Sequence, residues 1–247
     1  SVKPFSKDEL HDYGPQRSYG REATEAAFLL GGIGTGNISV GSRGNLRDWE
    51  IWNRSAKGQK LPYSFFAVSV NDGSNVMTRV LESQVTPPFK GSHGLHPGSV
   101  SGLPRFKDSR LSSEYPFVKV EFLDDGYPVQ VELEAYTPFI PHEPDDSGLP
   151  LAVFKYTGEN TGDKPVDVSI AGSMLNAVGF TGEADFGWVT HDYYGQNVNS
   201  LVNQDGLNGI HYSSNKLDDS SLFHGSHVIA TIESDVTVKP YWHRSRW

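Results

Sequence analysis

The chain has 247 residues, of which 36% are hydrophobic, 12% aromatic and 21% charged, and it contains no cysteine. This composition excludes a disordered protein, a disulfide-stapled scaffold, a thiolate nucleophile and a zinc–cysteine site. A formal net charge of −9 argues against nucleic acid or an anionic membrane as the main partner, and no apolar run is long enough to predict a membrane span.

Residues 1–30 are rich in Lys, Asp, Glu and Arg, a composition that differs from that of a signal peptide. The chain begins at Ser1 rather than Met, so we expect a processed or trimmed product. The lack of cysteine slightly favours a soluble protein of the cytoplasm over a secreted one. Helical periodicity is weak except near Arg21 to Leu30, so we expect helices to be few and short, with that segment as the one helical signal.

The stretch FLLGGIGTGNISVGSRGNLRDWEIWN, from Phe28 to Asn53, begins with a glycine-rich loop. A dinucleotide-binding loop needs a helix behind its glycines, and a P-loop needs Gly-Lys-Ser/Thr. Here the alternating residues Asn37–Gly41 follow and predict a strand, so no helix N-terminus is expected to face a phosphate. We expect the glycines to permit positive φ angles and the close approach of another backbone segment.

Charged and large aromatic side chains follow this bend directly. Because they concentrate beside it, we expect a domain interface or the rim of a site, formed by Arg43, Arg47, Asp48, Trp49 and Trp52. Further aromatic residues fall in loops or at strand ends, namely Trp188, Tyr193, Tyr194, Trp242 and Trp247. Packing in the core or at a domain interface is the favoured interpretation of all these aromatic residues, and a platform that stacks on sugar rings is the alternative.

The clearest strand signal is PFVKVEFLDDGYPVQVELEAYTPF, from Pro116 to Phe139. Apolar residues alternate with polar ones on both sides of Asp124-Asp125-Gly126, which predicts a hairpin around an Asp-Gly turn. One apolar face and one charged face are typical of an antiparallel sheet that covers a core on one side.

Similar alternation predicts pairs of strands in three more segments, Ser64–Leu81, Leu151–Gly172 and His227–Trp242. Long loops are predicted between them, at Thr86–Arg105, Pro138–Pro150 and Phe180–Asn208, and such loops often line a site or an interface. The predicted fold class is therefore all-β: a large antiparallel β-sandwich with long decorated loops and few short helices.

No cofactor and no metal are predicted. The pairs His93/His96 and His224/His227 have a spacing that suits a metal on a helix, but residues three apart in an extended chain point to opposite faces. The acidic pair at Asp124 fits a turn, and those at Asp145 and Asp218 are expected to cap or solvate loops. No Gly-x-Ser-x-Gly motif supports a serine nucleophile.

Four segments together resemble glycoside hydrolase family 116, which includes non-lysosomal β-glucosylceramidases and bacterial β-glucosidases. The stretch LGGIGTGNISVGSRGNLRDWEIWN, Leu30 to Asn53, resembles the opening motif of that family. The others are SEYPFVKVEF (residues 113–122), VQVELEAYTPFIPHEPDDSGLPLAVFKYTGEN (129–160) and YWHRSRW (241–247). The glycine–arginine–tryptophan and Pro-Phe-Ile-Pro segments are the more specific parts of this resemblance.

The resemblance implies a two-domain enzyme with an N-terminal β-sandwich and a C-terminal (α/α)6 barrel. The nucleophile and the acid/base carboxylate of its retaining mechanism are expected in the barrel, so no catalytic residue is predicted here. Residues 1–247 are then the N-terminal domain of a longer β-glucosidase-like enzyme. The implied partners are the catalytic domain of the same protein and a carbohydrate substrate.

Two other functions remain open from the sequence. The chain could be an autonomous carbohydrate-binding module, because its aromatic residues would suit a sugar platform. It could also be a complete β-sandwich hydrolase or lyase, since a catalytic carboxylate pair can lie among its 30 acidic residues without a sequence signature.

Overall fold

The computed structural model describes residues 5–12, 14, 16–85, 87, 102–180 and 192–241. Within these ranges two helices are short, α1 (Lys7–His11) and α2 (Pro144–Ser147). The remaining elements are fifteen strands: β1 (Ser18–Gly20), β2 (Ala27–Leu30), β3 (Asn37–Gly41), β4 (Leu46–Glu50), β5 (Phe65–Asn71), β6 (Val76–Ser83), β7 (Arg105–Phe106), β8 (Asp108–Glu114), β9 (Phe117–Leu123), β10 (Val129–Tyr136), β11 (Val153–Asn160), β12 (Asp167–Ser173), β13 (Asn197–Gln204), β14 (Leu207–Ser214) and β15 (His227–Thr231). The predicted all-β class is confirmed.

The main core lies between two sheets. A five-stranded sheet has the order β1-β8-β9-β10-β11, and a four-stranded sheet has the order β12-β5-β6-β7. Val120 and Leu133 of the first sheet and Val68 of the second are completely buried in one apolar cluster. Neighbouring strands run antiparallel except β6 and β7, which are parallel. The arrangement is the predicted sandwich.

The hairpin of β9 and β10 shows why this sequence forms a sheet. Val120 lies opposite Leu133, and both point into the core, where each buried side chain contributes roughly 1.5–3 kcal/mol. On the outer face Lys119 lies 3.4 Å from Glu132 and 3.8 Å from Glu134. The predicted turn is confirmed, since the amide of Tyr127 donates to the carbonyl of Asp124 at 3.0 Å.

The turn between β9 and β10 also connects the five-stranded sheet with the four-stranded sheet. The carboxylate of Asp124 is buried and lies 3.6 Å from both Arg79 Nε and Lys107 Nζ. The hydroxyl of Tyr127 lies 3.2 Å from the carbonyl oxygens of Val68 and Met77, on the opposite sheet. Burial raises the pKa of Tyr127 to about 12, so it remains a neutral donor at physiological pH.

Two smaller sheets flank the sandwich, β2-β3-β4 and β13-β14-β15. The first contributes Leu30 and Val40 to the main core. The second is held to the rest of the chain by the buried amide of Asn176, which donates to Val198 O at 3.2 Å and Ser213 O at 3.0 Å.

Three predictions about elements are wrong. The segment Arg21–Leu30 is not helical, because residues 21–26 form isolated turns and β2 then pairs with β3. The predicted loop Phe180–Asn208 contains β13, which pairs with β14 across a turn at Asp205 and Gly206, both with positive φ. The described part of His227–Trp242 contains only β15, since residues 232–241 are held by side-chain contacts such as Asn199 Nδ2 to Pro240 O.

The other predicted strands are confirmed. Ser64–Leu81 forms the hairpin of β5 and β6. Leu151–Gly172 forms β11 and β12, although the two strands belong to different sheets. The predicted loop Pro138–Pro150 is irregular apart from α2, whereas most of Thr86–Arg105 lies outside the described residues.

Candidate functional site

The glycine-rich segment forms a tight turn of residues 31–36 between β2 and β3. Gly34 has a φ of +76°, and Thr35 closes the turn by donating from its hydroxyl to the carbonyl of Gly32 at 2.9 Å. Because the strand β3 follows at once, no helix dipole faces the loop and the geometry is not that of a phosphate-binding loop. The predicted strand after the glycines is confirmed.

Gly32 allows the turn to contact a second backbone segment. A Cβ atom at this position would lie 2.4 Å from Leu149 O and 2.7 Å from Gly148 O, which is too close for any side chain. The next residue, Ile33, donates from its amide to Ser147 O at 2.8 Å. The predicted close approach of another backbone is therefore confirmed, and that backbone belongs to residues 147–149.

Two hydroxyl side chains fix the segment that receives the turn. The hydroxyl of Ser147 accepts a hydrogen bond from the amide of Ile140 at 2.9 Å and donates one to the carbonyl oxygen of Ile140 at 3.0 Å. The hydroxyl of Thr137 accepts from the amide of Gly31 at 2.7 Å and donates to Leu151 O at 3.2 Å. Residues 31–36 and 137–151 thus form one hydrogen-bonded unit.

Arg43 ties the connection between β3 and β4 to the four-stranded sheet. Its Nη2 atom lies 3.0 Å from Glu82 Oε2, and Arg105 Nε approaches the same oxygen at 3.1 Å. The carbonyl of Arg43 also accepts from the amide of Ser83 at 2.8 Å. The guanidinium is largely buried and is used inside this domain.

Arg47 and Asp48 form a second internal cluster on β4. Asp48 is buried with a φ of +51°, and its Oδ1 atom accepts from the amide of Gly58 at 2.6 Å and lies 3.3 Å from Arg47 Nε. Burial opposes ionisation here, but the Gly58 hydrogen bond and the Arg47 charge lower the pKa of Asp48. Arg47 also donates to Thr24 O and pairs with Glu25 at 3.2 Å.

The two predicted tryptophans are packed rather than free. Trp49 is 4% exposed in a cluster with Leu61 and Ala177, and its Nε1 atom has no hydrogen-bond partner within the described part of the chain. Trp52 meets Phe180 edge to face at 5.1 Å and donates to Ala177 O at 3.4 Å. The five predicted interface or rim residues thus make separate sets of described contacts inside this domain: Arg43 at Glu82, Arg47 with Asp48, and the two tryptophans around Ala177.

Exposed apolar residues occur at several places in the described chain, and one group of them lies on the unit formed by the glycine turn and the 137–151 segment. Ile33 is 59% exposed, Ile140 46% and Leu149 43%. Beside them Tyr115 is 63% exposed, and its ring lies 5.2 Å from that of Phe139. Sequence reasoning named Pro138–Pro150 as a loop of the kind that often lines an interface. It did not join that loop with Ile33 and Tyr115 into one surface.

A polar groove of about 430 Å³ adjoins the glycine turn, between residues 34–37 and 50–55. Glu50 lines it and accepts from Ala56 N at 2.9 Å and Lys57 Nζ at 2.7 Å, and these hydrogen bonds lower the pKa of Glu50. The Oδ1 atom of Asn37 is buried without a partner among the described residues. Such amide and carboxylate groups can bind hydroxyl-rich ligands.

The two described histidines of the predicted pairs, His224 and His227, make separate contacts. His224 lies 3.6 Å from Asp219, whereas His227 packs its ring 4.7 Å from that of Tyr212. Burial lowers the pKa of His227 to about 4, although a hydrogen bond to Leu175 O opposes the shift. His93 and His96 lie outside the described residues, as do Trp188, Trp242 and Trp247. Across the described ranges, no group of three or more His, Asp or Glu side chains is placed to hold a metal.

Among the described residues, neither helix has the length or apolarity that crossing a membrane requires. A comparison with protein-family models matches the chain to the model described as beta-glucosidase 2, glycosyl-hydrolase family 116 N-term. The match covers residues 27–246, which includes the glycine turn and the 137–151 segment.

Proposed function

The chain belongs to the N-terminal domain family of glycosyl-hydrolase family 116, and from this membership we propose that residues 1–247 are the non-catalytic N-terminal domain of a retaining β-glycosidase. The parent enzyme hydrolyses β-glucosides or related sugars. The family match over residues 27–246 carries this proposal. The domain packs on a separate C-terminal catalytic domain of the same protein and supports it.

Three described carboxyl groups are poorly suited to act as the acid of such a reaction. A retaining glycosidase needs one carboxylate as nucleophile and one carboxylic acid whose raised pKa lets it protonate the leaving oxygen. Hydrogen bonds hold the pKa of Glu50 low, and backbone amides do the same for Asp72. Buried Asp48 is also held ionised by Gly58 and Arg47. These groups are acceptors inside the domain and are poorly suited to donate a proton.

Hydrolysis of an aryl β-glucoside tests the proposal. The full-length parent should release the aryl alcohol with retention of anomeric configuration, which NMR of the first-formed sugar detects. Residues 1–247 alone, shown to be folded by circular dichroism, should give no turnover. Activity of this chain that survives successive purification steps would contradict the non-catalytic assignment.

A further inference from the structure

We propose that the catalytic domain docks on one defined surface of this chain, called here the docking face. It consists of Ile33, Tyr115, Phe139, Ile140, Leu149 and Leu151. This inference rests on the proposed function, which supplies the catalytic domain as the occupant, and it adds the place at which that domain binds.

The apolar residues of the docking face belong to one connected structure. Single exposed apolar side chains are ordinary, whereas a contiguous group marks an interaction site. The backbone of Ile33 is hydrogen-bonded to residue 147, and Gly32 lies against the backbone of Leu149. The rings of Tyr115 and Phe139 are in contact at one side.

The docking face is held in shape before any partner arrives. Thr137 and Ser147 each hydrogen-bond to two backbone groups, and between them they join residues 31, 140 and 151. A surface that is ordered in advance loses little conformational entropy on binding. This internal hydrogen bonding distinguishes the docking face from a flexible loop that exposes isoleucines.

The charge around the docking face indicates the chemistry of its partner. Glu143, Asp145 and Asp146 are exposed beside Ile140 and Leu149, and residues 138–151 contain no Lys or Arg. An apolar centre with an acidic rim complements a partner surface that has apolar side chains bordered by Lys or Arg. We therefore expect the docked surface of the catalytic domain to have a basic border.

The outer face of the five-stranded sheet has a different character. Its charges are already paired within the domain, with Arg110 3.4 Å from Glu121 and Lys119 between Glu132 and Glu134. Exposed charges that are paired in this way are well solvated and contribute little to stability or binding. The comparison favours the docking face over this larger surface.

Cysteine labelling in the full-length parent tests the docking face, since residues 1–247 contain no cysteine of their own. The test variants are Ile33→Cys and Leu149→Cys, and the matched control is Val76→Cys, whose native side chain is 67% exposed at the start of β6. Residues 33 and 149 should react with a maleimide at least about tenfold more slowly than residue 76, because labelling needs the domains to separate. Mass spectrometry identifies each labelled site, and all three should react alike after denaturation.

Equal labelling of residues 33, 149 and 76 in the native parent would overturn the docking face. The same samples are assayed for aryl β-glucoside hydrolysis, which separates the two proposals. An active parent with freely labelled residue 33 contradicts the docking face alone. An inactive parent with protected residues 33 and 149 contradicts the proposed enzyme activity and still supports domain docking at this surface.

Discussion

At the scale of single residues, the side chains on and beside β4 show that a sequence can indicate candidate residues without revealing whether their side chains point into the domain or outward. The sequence predicted an interface or a site rim at Arg43, Arg47, Asp48, Trp49 and Trp52, and their described contacts fall in separate parts of the domain. Their orientation depends on distant partners, such as Phe180 against Trp52 and Gly58 at Asp48. Local spacing cannot reveal such partners, so the inward orientation was not predictable. Their role at an interface or rim stays a prediction.

Asp48 provides a test at this scale. Replacing Asp48 with Ala removes the acceptor for Gly58 and leaves, at a φ of +51°, a residue whose side chain cannot hydrogen-bond locally. We expect the free energy of unfolding to fall by about 2–4 kcal/mol, from backbone strain and an unsatisfied amide. Urea denaturation of residues 1–247 measures it.

Asp48→Asn is the matched control, because Asn tolerates positive φ and its amide oxygen can still accept from Gly58. The Asn variant loses only the charge pairing with Arg47, so its free energy of unfolding should fall by about 1 kcal/mol. Equal destabilisation by Ala and Asn would show that the Gly58 hydrogen bond and the backbone conformation are not what makes Asp48 important.

At the scale of elements, the hairpins were predictable where two local signals coincide. Alternation on both sides of an Asp-Gly turn located β9 and β10, and the same signals located β5 and β6. The strand β13 was missed because its sequence, NVNSLVNQ, is polar and resembles a loop. It is ordered by pairing with β14 and by contacts with Asn176, which are tertiary effects.

The glycine turn provides a test at this scale. In Gly32→Ala the new Cβ would overlap Leu149 O, so the turn must move away from residues 147–149. In Gly34→Ala the space is open and only the positive φ is unfavourable, at a cost of about 1–2 kcal/mol. We expect the Gly32 variant to lose clearly more stability than the Gly34 variant in thermal unfolding. The reverse order would contradict the close packing of the two segments.

At the scale of the whole molecule, the sandwich was predictable but its strand order was not. Period-two patterning shows that a strand has one buried face, yet it does not say which sheet the strand joins. β11 and β12 are consecutive in sequence and belong to different sheets, which only long-range packing decides. The docking face was not predicted as one surface for a related reason, because it is assembled from segments around residues 33, 115 and 149.

The pH dependence of global stability tests the junction at the third sheet, where His227 of β15 packs on Tyr212 of β14 and hydrogen-bonds to Leu175 O. Burial lowers the pKa of His227 to about 4, from 6.5 in the unfolded chain. Between these values the unfolded state binds more protons, so stability is lost as pH falls through this window and is constant above it. From pH 7.5 to 5 we expect a loss of about 2 kcal/mol.

Urea denaturation at the two pH values, with His227→Gln as the comparison, measures this loss. The variant should show a much flatter dependence, because glutamine does not titrate. The carboxyl groups with lowered pKa values, such as Asp48, act at lower pH and contribute little in this range. An unchanged pH dependence in the variant would contradict the assignment to His227.

The pairing of β5 has a consequence for folding during synthesis. Phe65 of β5 pairs with Ser173 of β12, and Ser18 of β1 pairs with Ser112 of β8. Each pairing closes a loop on the order of 100 residues, which at ribosomal rates takes roughly 5–20 s to synthesise. During that interval the growing chain exposes an unpaired strand edge at β5. We therefore expect this edge of β5 to stay unpaired until β12 has left the ribosome.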